Sequence, residues 1–145
     1  LIIEPNNRGK IRGIRDLKGR RFVPRQPEAG THVLFEHLLK TEQVAAEKDF
    51  SYAPPARNET DAVLAVLDGK ADATFGLEAL AAQYRLAFVP VITERFDLLV
   101  DRHAWFEPPF QTLLGFCWSE VFQEKAAEFH GYDVTSLGRV HFNGP

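Results

Sequence analysis

The sequence is poor in cysteine, has no methionine and contains no long hydrophobic run. A single cysteine, Cys117, excludes an internal disulfide and gives no support to a secreted scaffold held by disulfides. No stretch of about 18 apolar residues predicts a membrane-spanning helix, and the first residues lack the basic and apolar regions of a signal peptide. Because the chain has no methionine even at its start, we expect it to be a piece of a longer protein.

A basic excess and catalytic motifs are missing too. The net charge is -3 and the pI is near 6.0, so we expect this domain not to bind DNA by itself. The sequence contains no Gly-x-Ser-x-Gly elbow, phosphate-binding lysine loop or dinucleotide glycine fingerprint, and no base is placed to activate Cys117. The histidines, at 32, 37, 103, 130 and 141, show no metal-ligand spacing. These absences predict a protein that is not an enzyme and uses no metal or cofactor.

The composition is that of an ordinary globular domain. A chain of 145 residues with 45% hydrophobic residues suffices for one domain with a sizeable core. Strand-like and helix-like segments alternate along it. The predicted strands are "LIIEP", "RRFV", "FSYA", "ADATFG", "AFVPVI" and "FDLLV", and the predicted helices are 31–41, "DAVLAVLD", "LEALAAQYR", "PFQTLLGF" and a segment that Ser119 opens and that reaches "KAAEFHGYD". This alternation favours an α/β fold with a largely parallel sheet covered by helices on both faces.

The stretch "RQPEAGTH", residues 25–32, is the first candidate for a ligand site. Arg25 and Gln26 offer guanidinium and amide donors, and a guanidinium is a bidentate partner for an oxyanion. Gly30 and Thr31 lie where the predicted helix begins, and the unpaired N–H groups of a helix N-terminus favour an anion. The structural alternative is that Thr31 or Gly30 only caps the helix and that Arg25 is a solvated surface residue.

Two further polar segments lie next to predicted strands or helices. Asn58, Glu59 and Thr60 precede one helix, and Gly76 and Glu78 follow the strand "ADATF". In open α/β sheets ligands lie beyond the carboxyl ends of the strands, so both segments are candidates for ligand contacts. A glycine at this place allows a ligand to approach the backbone closely. Helix capping by the first segment, and a favourable helix dipole for the glutamate, remain as structural alternatives.

Three sequence elements occur in an order that is typical of one family. They are the strand–"RQP"–"GT"–helix element, the element "GKADATFGLEA", and a late "GYD" with a glycine five residues on. Together they resemble the periplasmic-binding-protein-like domain of molybdate-type substrate-binding proteins. The branch most similar is the one fused to helix-turn-helix regulators or to molybdopterin-biosynthesis proteins. The resemblance covers nearly the whole chain.

The resemblance implies a type 2 periplasmic-binding-protein-like fold, in which two α/β lobes hold a ligand between them. Residues 1–145 would form one ligand-binding domain that lacks the first part of lobe one. It would be mostly one α/β lobe, with an approximately five-stranded mixed sheet and helices on both faces, plus returning C-terminal helices. Tyr132 would end a returning helix and border the ligand cleft near the hinge, with a purely structural role as the alternative. The aromatic residues near the C-terminus would pack on the missing lobe or on a partner.

The chain departs from the resembled family at one place. Relatives often carry Gly-Ser-Gly-Thr where this chain has Glu28-Ala29-Gly30-Thr31, and asparagine at the position of Pro24. Loss of a serine hydroxyl and gain of a carboxylate both disfavour a bare oxyanion. A ligand different from molybdate, or no ligand, is therefore an alternative.

The function that the resemblance implies is ligand sensing in a cytoplasmic transcriptional regulator. The ligand would be a small molecule or an oxyanion such as molybdate or tungstate, or a molecule related to the molybdenum cofactor. DNA would be bound only through a separate N-terminal helix-turn-helix domain, without membrane contact, and a homodimer would suit a symmetric operator. The alternatives are a periplasmic substrate-binding protein of an ABC transporter and an accessory domain of a molybdopterin-biosynthesis enzyme.

Overall fold

The computed structural model describes residues 1–144. The chain divides into two compact units, Leu1–Thr93 and Glu94–Pro145. Among the described residues, no helix has both the length and the apolar character needed to cross a membrane.

The first unit is built on a five-stranded mixed sheet. The strands are β1 (Ile2–Ile3), β2 (Arg21–Val23), β3 (Ser51–Tyr52), β4 (Ala73–Thr74) and β5 (Ala87–Phe88), in the order β3-β2-β4-β1-β5. β2 pairs parallel with β3 and β4, whereas β1 runs antiparallel to both β4 and β5. The expected mixed sheet is confirmed, and the largely parallel sheet inferred from alternation alone is corrected. Alternation of strands and helices gives no information on the direction of β1, which pairs with two strands that are distant from it in the chain.

Helices cover both faces of this sheet. They are α1 (Gly30–Thr41), α2 (Ala46–Asp49), α3 (Glu59–Leu67) and α4 (Glu78–Gln83), with 3-10 turns at Pro5–Asn7 and Ile14–Leu17. Alternation along β2 separates the core into two clusters, because neighbouring strand residues point to opposite faces. Phe22 packs with Phe35 and Leu39 of α1 on one face. Val23 packs with the residues of α3 and α4 on the other face.

Stacked aromatic rings fix α1 to the centre of the sheet. The rings of Phe22 and Phe35 are nearly parallel, with centroids 4.4 Å apart, and the ring of Phe75 lies 5.4 Å from that of Phe35. Phe22 and Phe35 are both buried, and aromatic pairs of this kind contribute about 0.5–1.5 kcal/mol beyond the area that they bury. This packing places the N-terminus of α1 next to the carboxyl end of β2.

The second unit consists of short helices and irregular segments. Its helices are α5 (Arg102–Phe106), α6 (Pro108–Cys117) and α7 (Glu120–Ala127). The prediction that Ser119 opens α7 is confirmed, because its side chain accepts a hydrogen bond from the Phe122 N–H. The same helix ends at Ala127, before the "GYD" element that the prediction had included.

The predicted strand "FDLLV", residues 96–100, is wrong. No ladder partner for it exists among residues 1–144, and the side chains of Phe96 and Leu99 are 84% and 100% exposed. An apolar run forms a strand only where a neighbouring strand and a packed face complete it.

Helix α5 was not predicted, although Asp101 is its N-cap and accepts from the N–H groups of His103 and Ala104. These hydrogen bonds lower the pKa of the Asp101 carboxyl below its usual value.

Candidate functional site

Three predicted segments meet at one edge of the first unit's sheet. Because β2, β3 and β4 are parallel, their carboxyl ends lie at the same edge, and residues 24–32, 53–58 and 75–78 follow them there. Beyond β2 and β3 the backbones of Arg25 and Ala56 form a further parallel bridge. Such an edge is where open α/β sheets bind ligands.

Arg25 joins two of these segments through its side chain. Its Nη1 lies 3.6 Å from Glu59 Oε1, and its Nη2 donates to the carbonyl oxygen of Arg57 at 3.5 Å. Only 14% of the side chain is exposed, which excludes the alternative of a solvated surface arginine. The third guanidinium nitrogen, Nε, is buried and has no hydrogen-bond partner among the described residues. The guanidinium is therefore held in place while its Nε–H has no acceptor among the described residues.

The N-terminus of α1 lies beside Arg25 and carries no side-chain cap. Ala29 occupies the N-cap position and cannot accept a hydrogen bond, so capping by Gly30 or Thr31 is excluded. Within residues 1–144 the N–H groups of Gly30 and Thr31 have no acceptor. Two unpaired N–H groups at the positive end of a twelve-residue helix favour a negatively charged or acceptor group.

A chamber of about 10 Å³ lies between the strand end and the start of α1. Its wall includes Arg25, Thr31, His32 and Phe75. This volume accommodates about one water-sized atom. His32 Nδ1 is buried and without a partner in the described part of the chain, as is the Nε of Arg25. The chamber therefore has space for one oxygen atom between two side chains that each need a hydrogen-bond partner.

His32 is a candidate site residue that the sequence reasoning missed. From the sequence, the histidines were assessed only as metal ligands. The position of His32 in the first turn of α1 was the feature that could have placed its side chain near the end of β2. The structure describes no group of three or more His, Cys, Asp and Glu side chains that could hold a metal ion.

The segment at the start of α3 combines a cap with a contact to Arg25. Asn58 Oδ1 accepts from the Asp61 N–H at 2.8 Å, and Asn58 Nδ2 donates to Asp61 Oδ2 at 3.1 Å. Both ends of the amide are used, so capping accounts fully for Asn58. Glu59 faces Arg25, whereas Thr60 is half-buried and its side chain has no hydrogen bond to the described residues. Glu59 is thus the member of this segment that contacts the arginine.

Packing explains the glycine that follows β4. A Cβ at Gly76 would lie 3.0 Å from Cδ1 of Ile2, so the glycine lets the strand end approach the buried β1. Glu78 is the first residue of α4 and lies half-buried in its first turn, where the helix dipole favours a carboxylate. Neither residue contacts the Arg25 guanidinium through an ion pair or hydrogen bond that the structure describes.

The remaining predicted residues lie outside this cluster. Gln26 is exposed and makes no side-chain hydrogen bond within residues 1–144. Tyr132 belongs to the second unit, where its ring meets Phe129 edge-on at 6.3 Å. Gly131 before it has a φ of 81°, a conformation that glycine adopts readily. The structure therefore brings Arg25, Gly30, Thr31 and Glu59 together.

Comparisons with known proteins agree with this architecture. Residues 1–117 match the PBP superfamily domain, where PBP stands for periplasmic binding protein. The "Uncharacterized protein YvgK" of Bacillus subtilis (strain 168) is 25% identical over 142 residues, which are 97% of this chain and 46% of that protein. The "Uncharacterized protein in ferredoxin 2Fe-2S gene 5'region" of Clostridium pasteurianum is 28% identical over 76 residues, covering 52% of this chain and 67% of that protein. No solved structure matches the chain. The chain spans less than half the length of the Bacillus relative, and it belongs to the PBP superfamily.

Proposed function

We propose that this domain binds a small anion at the edge where β2 ends and α1 begins. The observation that carries the proposal is the uncapped N-terminus of α1 beside a largely buried arginine whose Nε–H has no acceptor among the described residues. Membership in the PBP superfamily implies a small ligand, and a guanidinium beside a helix N-terminus selects anions among small ligands.

The binding chemistry follows from the ion pair and the hydrogen bond that Arg25 already makes. Glu59 and the Arg57 carbonyl hold the two terminal nitrogens, so the guanidinium needs little reordering when a ligand arrives. One ligand oxygen would accept from Arg25 Nε in the chamber, and the N–H groups of Gly30 and Thr31 would donate to the other ligand oxygens. Because the Glu59 carboxylate offsets the positive charge of Arg25, the uncharged backbone N–H groups at the start of α1 supply much of the attraction for the anion.

The proposed biological role is that of the ligand-sensing domain of a cytoplasmic transcriptional regulator that carries out no catalysis. The Bacillus relative is more than twice as long as the matched segment, which leaves room for a separate DNA-binding domain. Ligand binding would shift the population between two conformations, to an extent set by its differential affinity for them. Molybdate and tungstate are the proposed oxyanions. A molecule related to the molybdenum cofactor is the proposed organic ligand.

Thermal melts of the full-length protein with molybdate, tungstate, sulfate and phosphate test the anion site. A ligand at 100 times its Kd adds about 2.7 kcal/mol to the free energy of unfolding, which raises the Tm measurably. Sodium chloride at the same ionic strength is the control for general salt effects. A Tm increase with one or more oxyanions, beyond that of the chloride control, is the predicted result. Equal Tm values in all salts contradict the proposal.

A further inference from the structure

An open groove runs from the anion chamber along the outer face of α1. Its volume is about 540 Å³, which lies within the usual range of small-molecule sites. His32 and Pro24 line both the chamber and the groove, so the two spaces share a wall. The edge strand β3 and the segment after it form the opposite side. A ligand anchored in the chamber would therefore have space to extend into the groove.

Charged groups are spaced regularly along the α1 side of the groove. His32, Glu36 and Lys40 are four residues apart and lie on one helix face, so about 12 Å of helix separates the first from the last. Glu36 and Lys40 form no ion pair with each other or with another described residue. The groove wall also carries Lys48, which forms no ion pair with the described residues either. The end of the groove away from the chamber is thus cationic.

Between these two ends the lining is mixed, with the Glu36 carboxylate on the α1 side and apolar side chains in the floor. Leu39 is buried in the floor, and Val44 is packed against the same hydrophobic cluster. A bare inorganic oxyanion would fill the chamber and leave this groove empty. The groove matches an elongated molecule with an acidic group at each end and a body that combines apolar surface with a hydrogen-bond donor for Glu36.

We infer that this site also takes an elongated organic dianion, whose first acidic group occupies the place of the small oxyanion. One acidic group accepts from Arg25 Nε and the start of α1, and the other lies about 12 Å away against Lys40 and Lys48. The body covers Leu39 and Val44, and a hydroxyl or amide N–H near its middle donates to Glu36. The inference rests on the proposed anion site, since the first acidic group is anchored there.

Isothermal titration of the full-length protein with straight-chain dicarboxylates tests the inference. The probes are succinate, suberate, sebacate and dodecanedioate, with octanoate as a monocarboxylate and phosphate as the inorganic anion. We expect the Kd to fall at least tenfold from succinate to the long dicarboxylates. Lys40→Ala should weaken binding of the long probes at least fivefold and leave the Kd of phosphate unchanged. Lys10→Ala, an exposed lysine that does not line the groove, is the matched control.

The outcomes separate this inference from the proposed function. Arg25-dependent binding of phosphate without any preference for long dicarboxylates overturns the elongated ligand and leaves the anion site standing. Long dicarboxylates that bind equally well to Arg25→Ala overturn the inference, whereas phosphate that binds equally well to Arg25→Ala overturns the proposed function. Octanoate binding as tightly as suberate overturns the second acidic group. Length preference that depends on both Arg25 and Lys40 supports the inference.

Discussion

The Arg25 guanidinium lies 3.6 Å from the Glu59 carboxylate and so links the segment before α1 to the first residue of α3. The link leaves Arg25 Nε unpaired and buried, next to an uncapped helix N-terminus. A buried N–H without a partner costs about 1–3 kcal/mol, and an acceptor that binds there removes this cost by forming the hydrogen bond. The same geometry makes the arginine the most informative residue to change.

Arg25→Ala should abolish the Tm increase that an anionic ligand produces, while the ligand-free protein still folds. Glu59 loses its partner, but its side chain is 39% exposed and is solvated in the variant. The measurement is a pair of thermal melts, with and without phosphate or molybdate. Arg8→Ala is the matched control, because Arg8 is exposed and forms no ion pair with residues 1–144. An unchanged ligand-induced Tm increase in Arg25→Ala would show that the anion binds elsewhere.

Asn58→Ala should lower the free energy of unfolding by about 1 kcal/mol, since α3 loses its N-cap. Asn58→Ser should retain most of this stability because a serine hydroxyl also caps. Urea denaturation measures both variants. We expect both to keep the anion-induced Tm increase, because the Asn58 amide is used by Asp61. Loss of that increase in the serine variant would instead assign Asn58 to the ligand.

Capping was also the feature that could be predicted best from the sequence. Ser119 begins its helix as expected, and of the two expected cap candidates Asn58 and Thr60 it is Asn58 that caps α3, because a cap depends on a few neighbouring residues. The strand at residues 96–100 was mispredicted, since pairing depends on distant segments that an apolar pattern does not reveal. The unpaired nitrogens of Arg25 and His32 likewise result from how β2 packs against α1. Of these two residues, only Arg25 could be identified from the sequence as a candidate for ligand contact.

Gly138→Ala should destabilise the second unit by about 1–3 kcal/mol. Gly138 has a φ of +85°, and a Cβ there would lie 2.8 Å from the Trp118 ring. The Trp118 Nε1–H donates to the Leu137 carbonyl, which fixes the ring against this turn. Both tryptophans belong to the second unit, so tryptophan fluorescence during urea denaturation reports its unfolding.

Gly115→Ala is the matched control for that change. Gly115 lies inside α6 with no atom near its added Cβ, and alanine there should stabilise the helix by about 0.5–1 kcal/mol. Opposite effects of the two alanines are the expected result. Equal effects would mean that the close contact with Trp118 does not exist in solution.

Stability should rise with pH between about 5 and 8 in a polypeptide that begins at Leu1. Burial lowers the pKa of the Leu1 α-amino group from 8.0 to about 5, and the group donates to the Val89 carbonyl at 2.6 Å. Within this window the unfolded chain holds a proton that the folded chain has released, so raising the pH favours folding. Comparison of Tm at pH 5 and pH 8 measures the effect. N-terminal acetylation removes this titration, and an equally steep pH dependence after acetylation would assign it to other groups.

The measurement that tests the anion site most directly is an NMR titration of the full-length protein with the anion that gives the largest Tm increase. Backbone amide signals of Gly30 and Thr31, and the Nε–H signal of Arg25, should shift together and saturate at one Kd. Saturation of those three signals at a common Kd is the result that the account predicts. Saturable binding that leaves all three unchanged would contradict it.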